Sequence, residues 1–157
     1  MNIYQCPEYY EIAFSFRDLA QEVDFFEEAI WKFSGVTVNS VFELATGTCP
    51  YLEEWHKRVY RYFGLDSSRE MIWFLRERAK KLTTQLTLFR SDMKKFALGS
   101  HRFDLAYILL GSLYVATNDH FSIISTASLE YCVGEVCTCS MVSCASISWP
   151  RTKNAGR

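Results

Sequence analysis

The sequence predicts one α/β domain in which helices cover both faces of a parallel sheet. Three observations support this fold class. The chain has 157 residues, which is about one domain's worth of sequence. Apolar residues recur at steps of three and four in some segments and form short continuous runs in others. The two kinds of segment alternate along most of the chain, as in βαβ units.

The first helix is predicted over residues 17–33, and short apolar runs predict four strands, at 40–46, 58–65, 84–91 and 102–110. A segment of helical character follows Pro50 over 51–62, and a second helix runs to Lys81 from a cap at Ser67 or Ser68, with Glu70 reaching back. The first helix ends at Gly35 and is amphipathic, with apolar residues at Leu19, Val23, Phe26, Ile30 and Phe33.

The composition changes near residue 120. Between 121 and 149 the only charged residues are Glu130 and Glu135, and Ser, Thr and Cys are frequent. A helix is predicted over 119–131, and 131–142 could supply one further strand. We therefore divide the chain into a truncated domain at 1–131 and a divergent Cys/Ser-rich segment at 132–157. Truncation or a shifted reading frame near residue 120 would explain the break. The sheet is then incomplete at its C-terminal edge, which predicts homo- or hetero-oligomers through that exposed edge.

Charge and hydropathy exclude several classes of protein. Lys and Arg number 17 and Asp and Glu 18, and this net charge of −1 argues against a nucleic-acid binder. No apolar stretch is long enough to span a membrane, so no membrane partner is expected. The N-terminus lacks a basic start followed by an apolar run, so a cytoplasmic location with six free thiols is expected.

Polar residues stand at the ends of the predicted strands. Glu43 lies within the first strand, Asp66 follows the second and Asp92 follows the third. In open parallel sheets, ligands bind at the carboxyl ends of the strands. Asp66 also lies 19 residues beyond Gly47, the spacing at which an acid reaches ribose hydroxyls in nucleotide folds. These residues predict a nucleotide-type site.

The chain at these positions resembles the class I S-adenosylmethionine-dependent methyltransferases, over about residues 9–120. Four motifs in order carry the resemblance: ELATGTC at 43–49, GLDS at 64–67, SDM at 91–93, and the run from FDL to LGSL at 103–113. The YYEIA start at 9–13 is also similar to the segment that folds over the cofactor in small-molecule members. The resemblance implies a Rossmann-like fold, S-adenosylmethionine as cofactor and methyl transfer to a small-molecule acceptor.

The resemblance also implies roles for residues of the first motif and the N-terminal segment. The backbone of Ala45, Thr46 and Gly47 would face the methionine part of the cofactor. Glu43 would orient that loop or the cofactor's amine. Tyr10 would close the pocket.

The second and third motifs imply contacts with the nucleoside. Asp66 would bind the ribose hydroxyls, and Ser67 and Met71 would line the adenine. Asp92 would accept a hydrogen bond from the adenine amino group, and Met93 would pack on the ring.

The fourth motif implies a floor below the sulfonium, made by Leu110 and Gly111. Tyr107 lies near the same strand end, but no residue is assigned as a general base. Two positions depart from the glycines of the family motif, Ala45 and Cys49. Glycine suits them because the backbone there approaches the ligand or takes a positive φ.

Two further interpretations of function remain open. The chain could be a non-catalytic or degenerate domain that acts as a binding or partner subunit. An NAD-dependent dehydrogenase fits less well, because its glycine motif begins directly after the strand. No metal site is predicted, since the spacing of four late cysteines departs from the CxxC pairs of structural zinc sites. These are Cys132, Cys137, Cys139 and Cys144.

Overall fold

The computed structural model describes residues 5–34, 37–109, 112, 130–132 and 140–141. The helices are α1 (Pro7–Ala13), α2 (Leu19–Phe33), α3 (Leu52–Lys57) and α4 (Arg69–Leu82). The strands are β1 (Ser40–Leu44), β2 (Arg61–Asp66), β3 (Leu86–Arg90), β4 (Leu105–Leu109) and β5 (Ser140–Met141). None of these helices is long and apolar enough to cross a membrane.

The predicted long helices are confirmed and begin at side-chain caps. The Asp18 carboxylate accepts from the Gln21 backbone N–H at 3.0 Å and starts α2. Ser68, rather than Ser67, caps α4 by accepting from the Met71 N–H at 3.2 Å. Gly35, the predicted end of the first helix, lies outside the described residues.

The predicted helical segment at 51–62 is wrong in its second half. Helix α3 ends at Lys57, and a turn at Arg58 and Val59 leads into β2. Val59 has a φ of 66°, a left-handed conformation that a β-branched residue rarely adopts. No glycine marks this turn, so its position could not be read from the local sequence.

The strands form one parallel sheet in the order β3-β2-β1-β4-β5. The chain moves outward from β1 to β2 and β3, then crosses to the other side of β1 to form β4. This reversal of direction between β1 and β4 is the topological switch point, beside which ligands bind in doubly wound sheets. The Rossmann-like fold class is confirmed.

Alternation along the strands divides the core into two clusters. Odd-numbered residues of β1 and β4, such as Val41 and Tyr107, pack with α2, α3 and α4 on one face. Even-numbered residues, such as Phe42 and Ile108, form a second cluster on the opposite face. Segment 93–103 covers that second cluster through Met93, Phe96, Leu98 and Phe103.

The C-terminal edge of the sheet is partly covered. Ser140 and Met141 pair in parallel with Ile108 and Leu109, so segment 131–142 does contribute a short strand. The helix predicted over 119–131 lies mostly outside the described residues. The division at residue 131 stays a prediction.

Candidate functional site

The loop after β1 forms the centre of the candidate site at the switch point. Three of its residues have positive φ: Ala45 at 53°, Gly47 at 54° and Cys49 at 43°. These are the alternate positions at which the family motif carries glycine. A left-handed conformation costs a non-glycine residue roughly 1–2 kcal/mol. The loop thus keeps the backbone path of a glycine motif although two of its glycines are replaced.

Asp66 at the end of β2 holds this loop. Its Oδ2 accepts from the Gly47 backbone N–H at 2.8 Å, and its Oδ1 accepts from the Ser68 N–H at 2.8 Å. Since a carboxylate has about four lone-pair sites, each oxygen retains acceptor capacity. The carboxylate therefore joins the ends of β1 and β2 and remains able to accept from two neighbouring hydroxyls.

Helix α1 brings Tyr10 to the same loop. A Cβ built on Gly47 would lie 3.9 Å from Tyr10 Cε1, so the aromatic ring packs directly against the loop. An ion pair fixes the helix there: Arg78 Nη1 of α4 donates to Glu11 Oε2 at 3.0 Å. Arg78 Nη2 lies 3.4 Å from the carbonyl oxygen of Pro50, at the end of the loop. The N-terminal segment thus closes over the site.

The turn after β3 places Asp92 beside Asp66. The Ser91 N–H donates to the Asp66 carbonyl oxygen at 3.1 Å. Asp92 itself is exposed, and its Oδ1 accepts from the Lys94 N–H at 2.8 Å. Met93 is half-buried against the second core cluster. The exposed carboxylate of Asp92 remains accessible to a ligand at this edge.

Glu43 faces the core rather than solvent. Its side chain projects among the aromatic residues of the first cluster and is 4% exposed. Its Oε2 accepts from Tyr62 Oη at 2.6 Å, from Tyr107 Oη at 3.2 Å and from Thr46 Oγ1 at 3.3 Å. Trp55 Nε1 in turn donates to Tyr107 Oη at 2.9 Å. The resemblance implied that Glu43 orients either the loop or the cofactor's amine, and its contact with Thr46 fits the first of these roles.

Burial dominates the electrostatics of this group. Removal from water raises the pKa of Glu43 to about 7, although the hydrogen bonds from the two tyrosines oppose the rise. Burial also raises the pKa of the Cys49 thiol and of the Tyr62 and Tyr107 hydroxyls. Cys49 is fully buried beside Glu43, so its side chain fills core space and not the strand-end edge.

The structure thus brings together only some of the residues selected from sequence. Tyr10, Ala45, Gly47, Asp66 and Asp92 lie around the strand-end edge. Ser67 is exposed next to them, whereas Thr46 and Met71 are buried, with Met71 only 1% exposed. Leu110 and Gly111 lie outside the described residues. Tyr107 is fully buried between Glu43 and Trp55, which removes it as a general base at the edge.

Sequence reasoning missed the residues that hold the N-terminal segment. Glu11 and Arg78 are 67 positions apart, and Arg17 reaches Tyr51 from another part of the chain. The two tyrosines that donate to Glu43 could have been found from the sequence. Tyr62 lies on β2 and Tyr107 on β4, the two strands beside β1, and both share a face of the sheet with Glu43.

A family comparison now identifies the chain. The model of the methyltransferase domain family matches residues 41–128, more than half of the chain and all of the candidate site except Tyr10. The chain belongs to this family. The resemblance found in the sequence motifs is confirmed. In a comparison of this chain with curated proteins, none matches.

Solved structures of similar fold include three methyltransferases. An S-adenosylmethionine-dependent methyltransferase from Clostridium acetobutylicum has a TM-score of 0.69 at 19% identity, over 80% of this chain and 50% of that one. DesVI from Streptomyces venezuelae has a TM-score of 0.67 at 24% identity, over 77% of this chain and 50% of DesVI. CalS10, an amino pentose methyltransferase from Micromonospora echinaspora solved with S-adenosylmethionine bound, has a TM-score of 0.62 at 21% identity, over 85% and 52%.

This chain spans about half the length of these solved proteins. The matches support the fold assignment, because all three proteins match most of this chain at TM-scores of 0.62 to 0.69.

Proposed function

We propose that this chain binds S-adenosylmethionine at the carboxyl edge of its sheet and transfers the methyl group to a small-molecule acceptor. The observation that carries the proposal is the Asp66 carboxylate, which holds the Gly47 N–H at 2.8 Å beside the switch point. Membership of the methyltransferase domain family supports it.

The residues at the edge fit this cofactor by the chemistry of their donors and acceptors. Asp66 has a free lone pair on each oxygen for the two ribose hydroxyls. The exposed Asp92 carboxylate would accept a hydrogen bond from the adenine amino group, and Ser67 and Met93 would line the ring. A Cβ built on Gly47 would meet only the Tyr10 ring within 4 Å, so the backbone there leaves room for the cofactor to approach closely.

When bound, S-adenosylmethionine supplies a methyl group already activated by its sulfonium. The protein then has to hold the donor in place, exclude water and set the acceptor in line with the methyl group. Asp66 and the loop at 45–49 would fix the donor. Helix α1, fastened by Arg78 and Glu11, would cover it and exclude water. Glu43 would keep the loop in shape from below through Thr46.

The acceptor is proposed by analogy with a solved neighbour. CalS10 is a methyltransferase for an amino pentose, and its structure matches 85% of this chain. An amino sugar is therefore the first class of acceptor to examine. We place the acceptor next to α1, because that helix stands over the loop and presents Tyr9 and Ile12 to solvent.

The test is the release of S-adenosylhomocysteine in the presence of S-adenosylmethionine and a panel of amino sugars, measured by mass spectrometry. We expect release that depends on an acceptor and falls about tenfold or more in Asp66→Ala, a loss of about 1.4 kcal/mol. Asp24→Ala, which removes an exposed carboxylate on α2, is the matched control and should behave as the wild type. Release no faster than without protein, from a sample shown to be folded by circular dichroism, would contradict the proposed activity.

A further inference from the structure

A cavity of about 1100 Å³ lies along strand β3, at one edge of the sheet. It is lined by the beginnings of β2 and β3, the second half of α4, the loop between α4 and β3, and His101. The candidate cofactor site, by contrast, lies at the carboxyl ends of the strands, where Asp66 ends β2. The cavity is therefore separate from that site, and the proposed methyl transfer does not use it.

The cavity extends around the edge of β3 and touches both faces of the sheet. On one face, Leu86 and Leu88 pack against the first core cluster, which α4 covers. On the other face, the centroid of the His101 ring lies 5.3 Å from that of Phe89 and 5.9 Å from that of Phe63. Because Leu88 and His101 line the same cavity, its middle lies beside β3, where the next strand of a larger sheet would lie.

Strand β3 has one unpaired edge, which faces the cavity. Among the described residues it pairs only with β2, in a parallel register from Tyr62 and Leu86 to Asp66 and Arg90. An edge strand presents a row of unpaired N–H and C=O groups, which makes it a template for another chain. Proteins often protect such edges with charged residues or proline, but residues 86–89 contain neither. The backbone of β3 is therefore able to pair with a further strand.

Positive charges surround this edge. Arg61 of β2 and Arg76 and Lys80 of α4 line the cavity, and none of the described residues that line it is Asp or Glu. Lys80 pairs with Glu77 at 2.6 Å. The exposed side chains of Arg61 and Arg76, however, make no ion pair with any described residue. Each of these two arginines is thus able to bind a carboxylate through two hydrogen bonds.

We propose that an acidic, extended segment of a partner protein binds at the β3 edge and adds a strand to the sheet. Main-chain hydrogen bonds to β3 hold the segment, and its carboxylates pair with Arg61 and Arg76. A second copy of this chain is a poorer occupant, because a pair of β3 strands would bring the arginines of both copies together and like charges repel. The proposal does not depend on methyl transfer.

The experiment compares three fluorescein-labelled peptides by fluorescence anisotropy with the whole chain. In the acidic probe, valine and glutamate alternate. The second peptide carries lysine in place of each glutamate, and the third keeps the acidic sequence but is N-methylated at every residue, so its backbone cannot donate hydrogen bonds. We expect the acidic probe to bind, and the other two peptides to bind about tenfold or more weakly, a difference of about 1.4 kcal/mol.

Variants of the protein test the two arginines, and hydrogen exchange locates the bound peptide. The double variant Arg61→Gln and Arg76→Gln should weaken the acidic probe about tenfold or more, about 1.4 kcal/mol. Arg69→Gln is the matched control, because it removes an exposed arginine at the start of α4, outside the cavity, and it should change no affinity. Amide hydrogen exchange in residues 86–90 should slow when the acidic probe is bound.

Four outcomes would overturn the proposal. Equal binding of the acidic probe and its N-methylated form would show attraction between charges without strand pairing. Equal affinity in the double variant would remove the two arginines from the site. Slower exchange in β3 as the protein concentration rises, without any peptide, would show that a second copy occupies the edge. No binding of the acidic probe to protein shown to be folded by circular dichroism would contradict the proposal outright.

Discussion

The substitution Glu43→Gln removes one buried charge and should change how stability depends on pH. Glu43 is ionisable in the unfolded chain with a pKa near 4.5, and burial raises its pKa to about 7 in the folded protein. Between these two values the folded protein holds a proton that the unfolded chain has released. Stability contributed by this group is therefore complete below about pH 4.5 and is lost as the pH rises to 7.

The magnitude follows from the difference between the two pKa values. At about 1.4 kcal/mol per pKa unit, ionising the buried group costs about 3 kcal/mol once the pH exceeds 7. Glutamine is neutral at every pH and keeps an acceptor oxygen for the hydroxyls of Tyr62, Tyr107 and Thr46. The variant should therefore gain about 2–3 kcal/mol on the wild type between about pH 5 and pH 8.

Urea denaturation at a series of pH values measures this difference directly. Other carboxylates and the histidines contribute equally to both proteins, so the comparison isolates Glu43. Glu77→Gln, on the exposed side of α4, is the control and should follow the wild type. Parallel pH profiles for Glu43→Gln and the wild type would contradict this prediction, since Glu43 would then ionise no differently in the folded and unfolded states.

Three further predictions concern strain and the N-terminal segment. Val59→Gly should stabilise the fold by about 1 kcal/mol, because it relieves a left-handed φ of 66° at a residue that is 86% exposed. Thermal melting measures the gain, and the control Val59→Ala, which keeps a Cβ, should not show it. Ala45→Gly should tighten S-adenosylhomocysteine about two- to tenfold by calorimetry, since it removes a methyl group from the loop, and unchanged or weaker binding would contradict this. Arg78→Met should speed amide hydrogen exchange in α1 about tenfold or more by releasing Glu11, whereas Arg102→Met should leave it unchanged.

Much of the fold could be predicted because its signals are local. The apolar spacing of α2 and the short apolar runs of the strands lie within single segments, and the position of Glu43 within the first strand was predicted from such a run. The turn at Val59 was not visible, because no glycine or proline marks it and tertiary packing imposes its φ. The turn propensities of single residues do not predict a backbone conformation that the surrounding structure imposes.

Some residues of the candidate site could likewise be predicted from local signals, and others could not. Gly47 and Asp66 were found because their spacing follows from the connection between β1 and β2. The fastening of α1 was not found, since Glu11 and Arg78 meet only through the folded topology. The contact between the Arg17 guanidinium and the Tyr51 ring was not found for the same reason, because the two residues lie 34 positions apart.

Calorimetric titration with S-adenosylhomocysteine, for the wild type and for Asp66→Ala, tests directly whether a cofactor site lies at the end of β2. We expect micromolar binding to the wild type that weakens about tenfold or more in Asp66→Ala, a loss of about 1.4 kcal/mol. Asp24→Ala should bind as the wild type does. No heat of binding from protein shown to be folded, or equal affinity in Asp66→Ala, would contradict a cofactor site at the end of β2.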